Sequence, residues 1–397
     1  MVAKRAVITM FVLLFAVVAF VDSGHAQRNQ GFDDKEIRIG QWGPQTGPAA
    51  PWGAVARGSK LLFDLINEEG GIHGRQIRYF IRDDQYNPSQ TMAGVRELVD
   101  RQGVFAFVGG VGTAPGLAVQ RYLRANEIIW TGVCSGARAF QDNPWLWQVW
   151  PDYFDEGAML AMHAVENMGF TKIAYLYQND DWGEDAGAGV RAVLARNNLE
   201  LLAAIPVEPI ERDLSSQIAR LQATGAEAVI AIVAPTQGAI SLRTAVSVGF
   251  RPQWLHSYNL CDFPLMNHIT EGLWAREGVM TAAFTDNIDA DTPLMNKYRD
   301  AKDRLAPNER WGLFYTAGIA AAEPLVWALE EAGPDLTKQK VVDALNNITE
   351  RQGIGPIITW TEDSHLPPRM LRVWQCGPQG ETIVVQDWTL IDLERPE

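Results

Sequence analysis

Residues 104–132 read VFAFVGGVGTAPGLAVQRYLRANEIIWTG: an apolar run, a glycine-rich loop, a helix-like stretch and a second apolar run. The spans 104–109 and 128–132 are short and apolar, as buried strands are, and 115–124 between them suits a helix. A strand, helix and strand of this length make one parallel β-α-β unit. The same pattern extends outward in both directions. Before it stand a strand over 37–40 and a helix over 53–67, whose Leu61, Leu62, Leu65 and Ile66 share one face. A turn cluster over 70–74, a strand over 77–82 and a helix over 89–100, opened by Asn87-Pro88, complete the first half.

After a short apolar strand over 145–149 the alternation restarts. Strands over 172–177, 199–207, 228–233 and 253–257 alternate with helices over 154–168, 183–197, 213–224 and 237–248. The span 278–282 reads as a return crossing. Helices over 293–304, 313–331 and 338–346 and strands over 357–360, 370–374 and 382–385 follow. This predicts an α/β fold of two lobes with parallel sheets, helices on both faces, and several short crossings between them.

The chain has 397 residues and a formal net charge of −14, which argues against nucleic acid or an anionic membrane as partner. Lys4 and Arg5 precede an apolar run over 6–21, and Gly24-His25-Ala26 has the form of a cleavage site. Residues 1–26 therefore read as a secretory signal peptide, with no cysteine at the cut to carry a lipid anchor. The mature chain is expected outside the cytoplasm. Cys134, Cys261 and Cys376 have no metal-ligand spacing and are expected as free, buried thiols. The six histidines form no HxxH or HxxxH pair, and no phosphate-binding GxxxxGK[ST] occurs, so no metal and no cofactor are expected.

Ligands of open α/β sheets bind beyond the carboxyl ends of the strands. After 104–109 comes Gly110-Val111-Gly112-Thr113-Ala114-Pro115, in which Thr113 reads as the cap of a helix and Pro115 occupies its first turn. Free amides, a hydroxyl and the positive end of a helix dipole suit a carboxylate. Pro115 stands where a dinucleotide fingerprint needs its third glycine, which excludes that reading. The next loop, Gly132-Val133-Cys134-Ser135-Gly136, matches the cysteine form of a hydrolase nucleophile elbow, but only 137–141 follow before Asp142-Asn143-Pro144. Its other use is a second set of amides and the Ser135 hydroxyl. Trp52, Trp182 and Tyr258 stand in equivalent strand-end loops and could line one cleft.

Several segments carry a likeness: 37–40 with Thr46-Gly47-Pro48 and Trp52-Gly53; Gly70-Gly71-Ile72-His73-Gly74-Arg75; Asp83-Asp84 with Asn87-Pro88; and Asp181-Trp182-Gly183. Over nearly the whole mature chain the sequence resembles the periplasmic leucine/isoleucine/valine-binding proteins, type I solute-binding proteins of ABC importers. The resemblance implies two Rossmann-like lobes joined by three crossovers. The first lobe is expected over 36–148 plus 283–357 and the second over 149–282 plus 358–397. It implies a monomer that encloses a small molecule by hinge closure, with permease and ATPase subunits on separate chains, and no enzyme activity.

By the resemblance, Trp52 packs on the ligand, Thr113 holds its carboxylate, and Cys134 and Gly136 fall on the neighbouring loop that assists it, where the hydroxyl expected at Gly136 is missing and Ser135 is adjacent. Trp182 replaces a second-lobe tyrosine, Ala234 stands where another tyrosine is usual, and Tyr258 stands where an acidic residue meets the α-ammonium group. Either Asp262 takes over that charge, or the ligand has no ammonium. Two ligand classes stay open: a hydrophobic or branched-chain amino acid, and a related amine-free acid, aromatic or aliphatic. The rival functions are a ligand-sensing module of a receptor and a Cys134-dependent hydrolase.

Overall fold

The computed structural model describes residues 31–47, 49–208, 211–366 and 369–395. The expected signal peptide, and Pro48 of the loop before Trp52, lie outside the described residues.

The first sheet has the order β2-β1-β3-β4-β5. Its strands are β1 (Glu36–Gly43), β2 (Gln76–Asp83), β3 (Ala106–Val108), β4 (Ile129–Thr131) and β5 (Leu146–Trp147). All its pairings are parallel, with Ile39 opposite both Tyr79 and Ala106. Central β1 is buried on both faces from Ile37 onward, whereas edge strand β2 is partly exposed along its length. Helix α1 (Ala54–Glu68) lays the predicted Leu61, Leu62, Leu65 and Ile66 on this core. Each such side chain, once buried, contributes about 2 kcal/mol. Helix α2 (Pro88–Glu97) opens as its sequence predicts, with the Asn87 side chain accepting from the Ser89 and Gln90 amides. Helix α3 (Thr113–Ala125) links β3 to β4.

The second sheet has the order β12-β11-β10-β9-β8-β6-β7. Strands β6 (Ile173–Gln178), β7 (Ala204–Val207), β8 (Ala228–Ile232), β9 (Gln253–His256) and β10 (Met280–Ala283) run parallel. Strands β11 (Met370–Cys376) and β12 (Thr382–Leu390) add an antiparallel hairpin at the edge, so this sheet is mixed where a parallel one was expected. Helices α4 (Tyr153–Met162), α5 (Asp181–Arg196), α6 (Ser215–Thr224) and α7 (Pro235–Ser247) fill the connections.

The chain passes between the sheets three times. It enters the second after β5 and leaves it after β10 to place α10 (Pro293–Leu305), α11 (Leu313–Glu331) and α12 (Lys338–Asn346) on the first. It returns at Met370. At the first passage Arg369 and Arg395, both from the end of the chain, bond Asp155 at the start of α4.

Three local expectations are corrected. Only 204–207 of the run 199–207 joins the sheet, because Leu199 and Leu201 pack around its edge instead. The run 357–360 forms no strand: Ile358 exchanges backbone hydrogen bonds with Arg351 alone, and Ile358 and Trp360 are buried in the core of the first sheet. The helix expected over 154–168 is α-helical to Met162 and then widens into a π turn, His163–Asn167. Two short helices, α8 (Phe263–Ile269) and α9 (Leu273–Arg276), were not anticipated; Asp262 caps the first of them.

Candidate functional site

In each sheet one strand has neighbours reached in opposite directions along the chain: β1 between β2 and β3, and β6 between β7 and β8. Such switch points leave a crevice at the carboxyl ends of the strands. Here the two crevices share one cavity of about 630 Å³, lined from both sheets.

The first-sheet wall centres on the start of α3. Gly112 precedes the helix with φ of 99°, and a Cβ there would lie 2.4 Å from the Tyr86 ring. No side chain caps the helix, so its first amides stay free. Thr113 is the first helical residue rather than the cap expected from sequence, and this turns its hydroxyl sideways. Its Oγ1 lies 2.8 Å from Ser135 Oγ and 3.4 Å from the Tyr153 hydroxyl, which in turn donates to Ser135 at 3.2 Å. Trp52, on a short turn ahead of α1, stacks on Phe314 at 5.6 Å and meets Tyr86 edge-on at 6.1 Å.

The second-sheet wall carries Trp182, Ala234 and Tyr258. Asp180 caps α5 through the Gly183 amide and so sets Trp182 in the first turn of that helix. Beneath these aromatics lies Glu156, fully buried on α4, which sequence reasoning missed. Its Oε1 accepts from Ser257 Oγ at 2.6 Å and from the Tyr258 amide at 2.8 Å. Its Oε2 accepts from the Trp182 indole at 3.4 Å. Burial raises the Glu156 carboxyl to about 7. The only hint in the sequence was an acidic residue on an otherwise apolar helix face, which does not by itself reveal a partner 102 residues away.

Seven of the nine residues singled out from sequence line the cavity: Trp52, Thr113, Cys134, Trp182, Ala234, Tyr258 and Asp262. Ser135 is fully buried behind Thr113. Gly136 faces away from the cavity, its carbonyl accepting the Tyr153 amide while a Cβ would strike the Pro151 carbonyl. Tyr86, Trp150, Tyr153, Arg212 and Phe314 also line it and were not anticipated.

Two of the nine differ from their expected chemistry. Asp262 does not offer a free charge. Its oxygens take Arg310 at 2.7 and 2.8 Å and accept the amides of Leu265 and Leu313. Cys134 has a thiol pushed well up by burial, and it donates to the Gly132 carbonyl at 3.9 Å rather than to a histidine. A thiol so held is a poor nucleophile, which removes the basis for a hydrolase. Among the described residues no group of histidine, cysteine and carboxylate side chains could hold a metal ion. No described helix is long and apolar enough to cross a membrane.

Residues 36–381 match the family described as periplasmic binding protein. Leu/Ile/Val-binding protein homolog 3 of Brucella melitensis is 25% identical over 324 residues, covering 79% of this chain and 83% of that protein. The leucine-specific-binding protein of Salmonella typhimurium is 24% identical over 371 residues, covering 90% and 95%. Among solved structures, a branched-chain amino acid ABC transporter protein from Thermus thermophilus with bound valine superposes with a TM-score of 0.81 at 18% identity, covering 90% and 98%. A fatty acid ABC transporter substrate-binding protein from Thermomonospora curvata gives 0.80 at 21%, covering 91% and 94%. At these identities the structures speak for the fold alone.

Proposed function

The chain belongs to the periplasmic binding protein family, a family of binding proteins rather than enzymes, and from that premise we propose that it captures a small carboxylate-bearing molecule for an ABC importer. One observation carries this reading: strand-end loops from both sheets converge on a single cavity, with an uncapped helix start on one wall and aromatic side chains on the other.

In this reading each sheet with its helices is a lobe, and the three passages between them are the hinge. The ligand docks first through its carboxylate at Thr113 and the leading amides of α3. Closure then brings Trp182 and Tyr258 over it, expels water and strengthens each hydrogen bond. The permease recognises the closed form, and permease and ATPase are separate chains. The leader over 1–26 delivers the protein to the periplasm as a monomer. A micromolar dissociation constant needs about −8 kcal/mol. A charge-assisted carboxylate site with buried aromatic contacts can supply that.

Isothermal titration against a panel of amino acids and organic acids, paired with small-angle scattering, tests the reading. One-site binding with a smaller radius of gyration supports it. A panel without a single binder, or binding with an unchanged radius, overturns it.

A further inference from the structure

The charges around the cavity restrict its ligand more than the family does. This step rests on the solute-capture reading and narrows it. A zwitterionic amino acid brings an ammonium group into the cleft, and a buried ammonium needs a carboxylate with free lone pairs. Asp262 borders the cavity, but Arg310 neutralises it and the Leu265 and Leu313 amides occupy it further. Asp180 also borders it, but it is the cap of α5, its oxygens accepting the Gly183 amide and the Gln178 side chain at 2.5 Å, and burial raises its carboxyl and so disfavours its charged form. Glu156 lies outside the wall, beneath Trp182 and Tyr258, with both oxygens engaged. Tyr258 itself presents a phenol.

The opposite sign is available. Arg212 stands exposed at the cavity's edge and forms no ion pair among the described residues. The uncapped start of α3 adds a second region favourable to an anion. Shape points the same way. Trp52, Tyr86 and Phe314 on one side face Trp150, Trp182 and Tyr258 on the other. The volume of about 630 Å³ falls among pockets that take ring-bearing ligands. Flat aromatic walls gain most from a flat aromatic partner. An aromatic cage can also hold a quaternary ammonium ion, but a guanidinium with no ion pair among the described residues opposes one at the edge.

We propose that the ligand is an aromatic carboxylate without an amine, its acid group at Thr113 and the first amides of α3, its ring between Trp52 and Trp182, and Arg212 supplying the balancing charge. Phenylalanine and 3-phenylpropanoate differ only in the amine, so titrating both by calorimetry isolates it. The expected result is 3-phenylpropanoate binding at least ten-fold tighter than phenylalanine, and at least five-fold weaker in Arg212→Gln. Phenylalanine or leucine binding as tightly as the acid overturns the inference and leaves solute capture standing. Preference for choline over the acid overturns it too. Silence of both phenyl compounds overturns the aromatic-acid class, while the broader panel with scattering decides solute capture separately. An unchanged affinity in Arg212→Gln sinks the charge argument.

Discussion

The carboxylate of Glu156 accepts the backbone amide of Tyr258 at 2.8 Å, tying a helix of the first crossing to the loop that closes the second-sheet wall of the cavity. The same carboxylate takes Ser257 and the Trp182 indole, so one buried group sets two aromatic side chains at once.

Its protonation gives the first prediction. Burial raises Glu156 to about 7, above the ordinary glutamate value of about 4.3. A carboxyl whose folded value exceeds its unfolded one favours the native state fully at low pH. That contribution is lost as pH climbs through the folded value. Glu156→Gln removes the titration, so the stability of the variant relative to wild type rises between about pH 4.5 and 7.5, by up to about 3 kcal/mol. Thermal melts across that range check it; a difference that stays flat with pH contradicts the role.

At Thr113 the hydroxyl is already oriented by Ser135 and Tyr153. Thr113→Ala should weaken ligand binding roughly ten-fold or more, on the order of 1.5–3 kcal/mol for a hydrogen bond to a charged group. Thr113→Ser should restore most of it. Equal affinities across the three proteins, measured by calorimetry, remove Thr113 from the site.

Arg310 and Leu313 lie at the entry to α11, whose later turns pack on the first core, whereas Asp262 caps α8 beside the second sheet, so their bonds join the root of a first-sheet helix to the second sheet. Arg310→Gln leaves the buried Asp262 without its cation. The Arg310 side chain is 52% exposed, which limits the loss to about 1–2 kcal/mol of stability. It should also raise the dissociation constant by a few fold, since the bond favours the closed form. Urea melts read the first effect and titration the second; a variant as stable and as tight as wild type denies the bond any part in closure.

Gly112 takes φ of 99° with the Tyr86 ring against it. Gly112→Ala therefore meets both backbone strain and a clash, a loss of about 1–3 kcal/mol, and it shifts Tyr86 in the cavity wall. Loss of both melting temperature and affinity is expected, and wild-type values for both would show that the loop has another shape.

Much of the architecture is legible in the sequence because apolar periodicity reports which faces are buried. Both sheets and most crossing helices follow from it, and the Asn87-Pro88 helix start from its capping pattern. Periodicity fails where an apolar run is buried without joining a sheet, as with Ile358 and Trp360. It also cannot tell the first helical residue from the residue before it: Gly112 takes the cap position because it alone tolerates the left-handed turn, and Thr113 moves inward. The strand-end rule located Trp52, Thr113, Trp182 and Tyr258 on one cavity, and the resemblance added Ala234. It said nothing of Glu156, Arg310 or Arg212, whose meaning lies in partners or spaces far along the chain. That Asp262 is neutralised depends on Arg310, 48 residues away.

The wedging of Arg369 and Arg395 onto Asp155 has a consequence for the order of assembly. The hairpin β11–β12 completes the second sheet, and Arg395 reaches back 240 residues to α4. The first sheet likewise waits for α11 and α12. The second sheet cannot be completed before β11–β12 has been made. Its completion waits on contacts distant in sequence, and such topologies fold slowly. For the exported chain proposed above, slow completion keeps the polypeptide threadable until it has crossed a membrane.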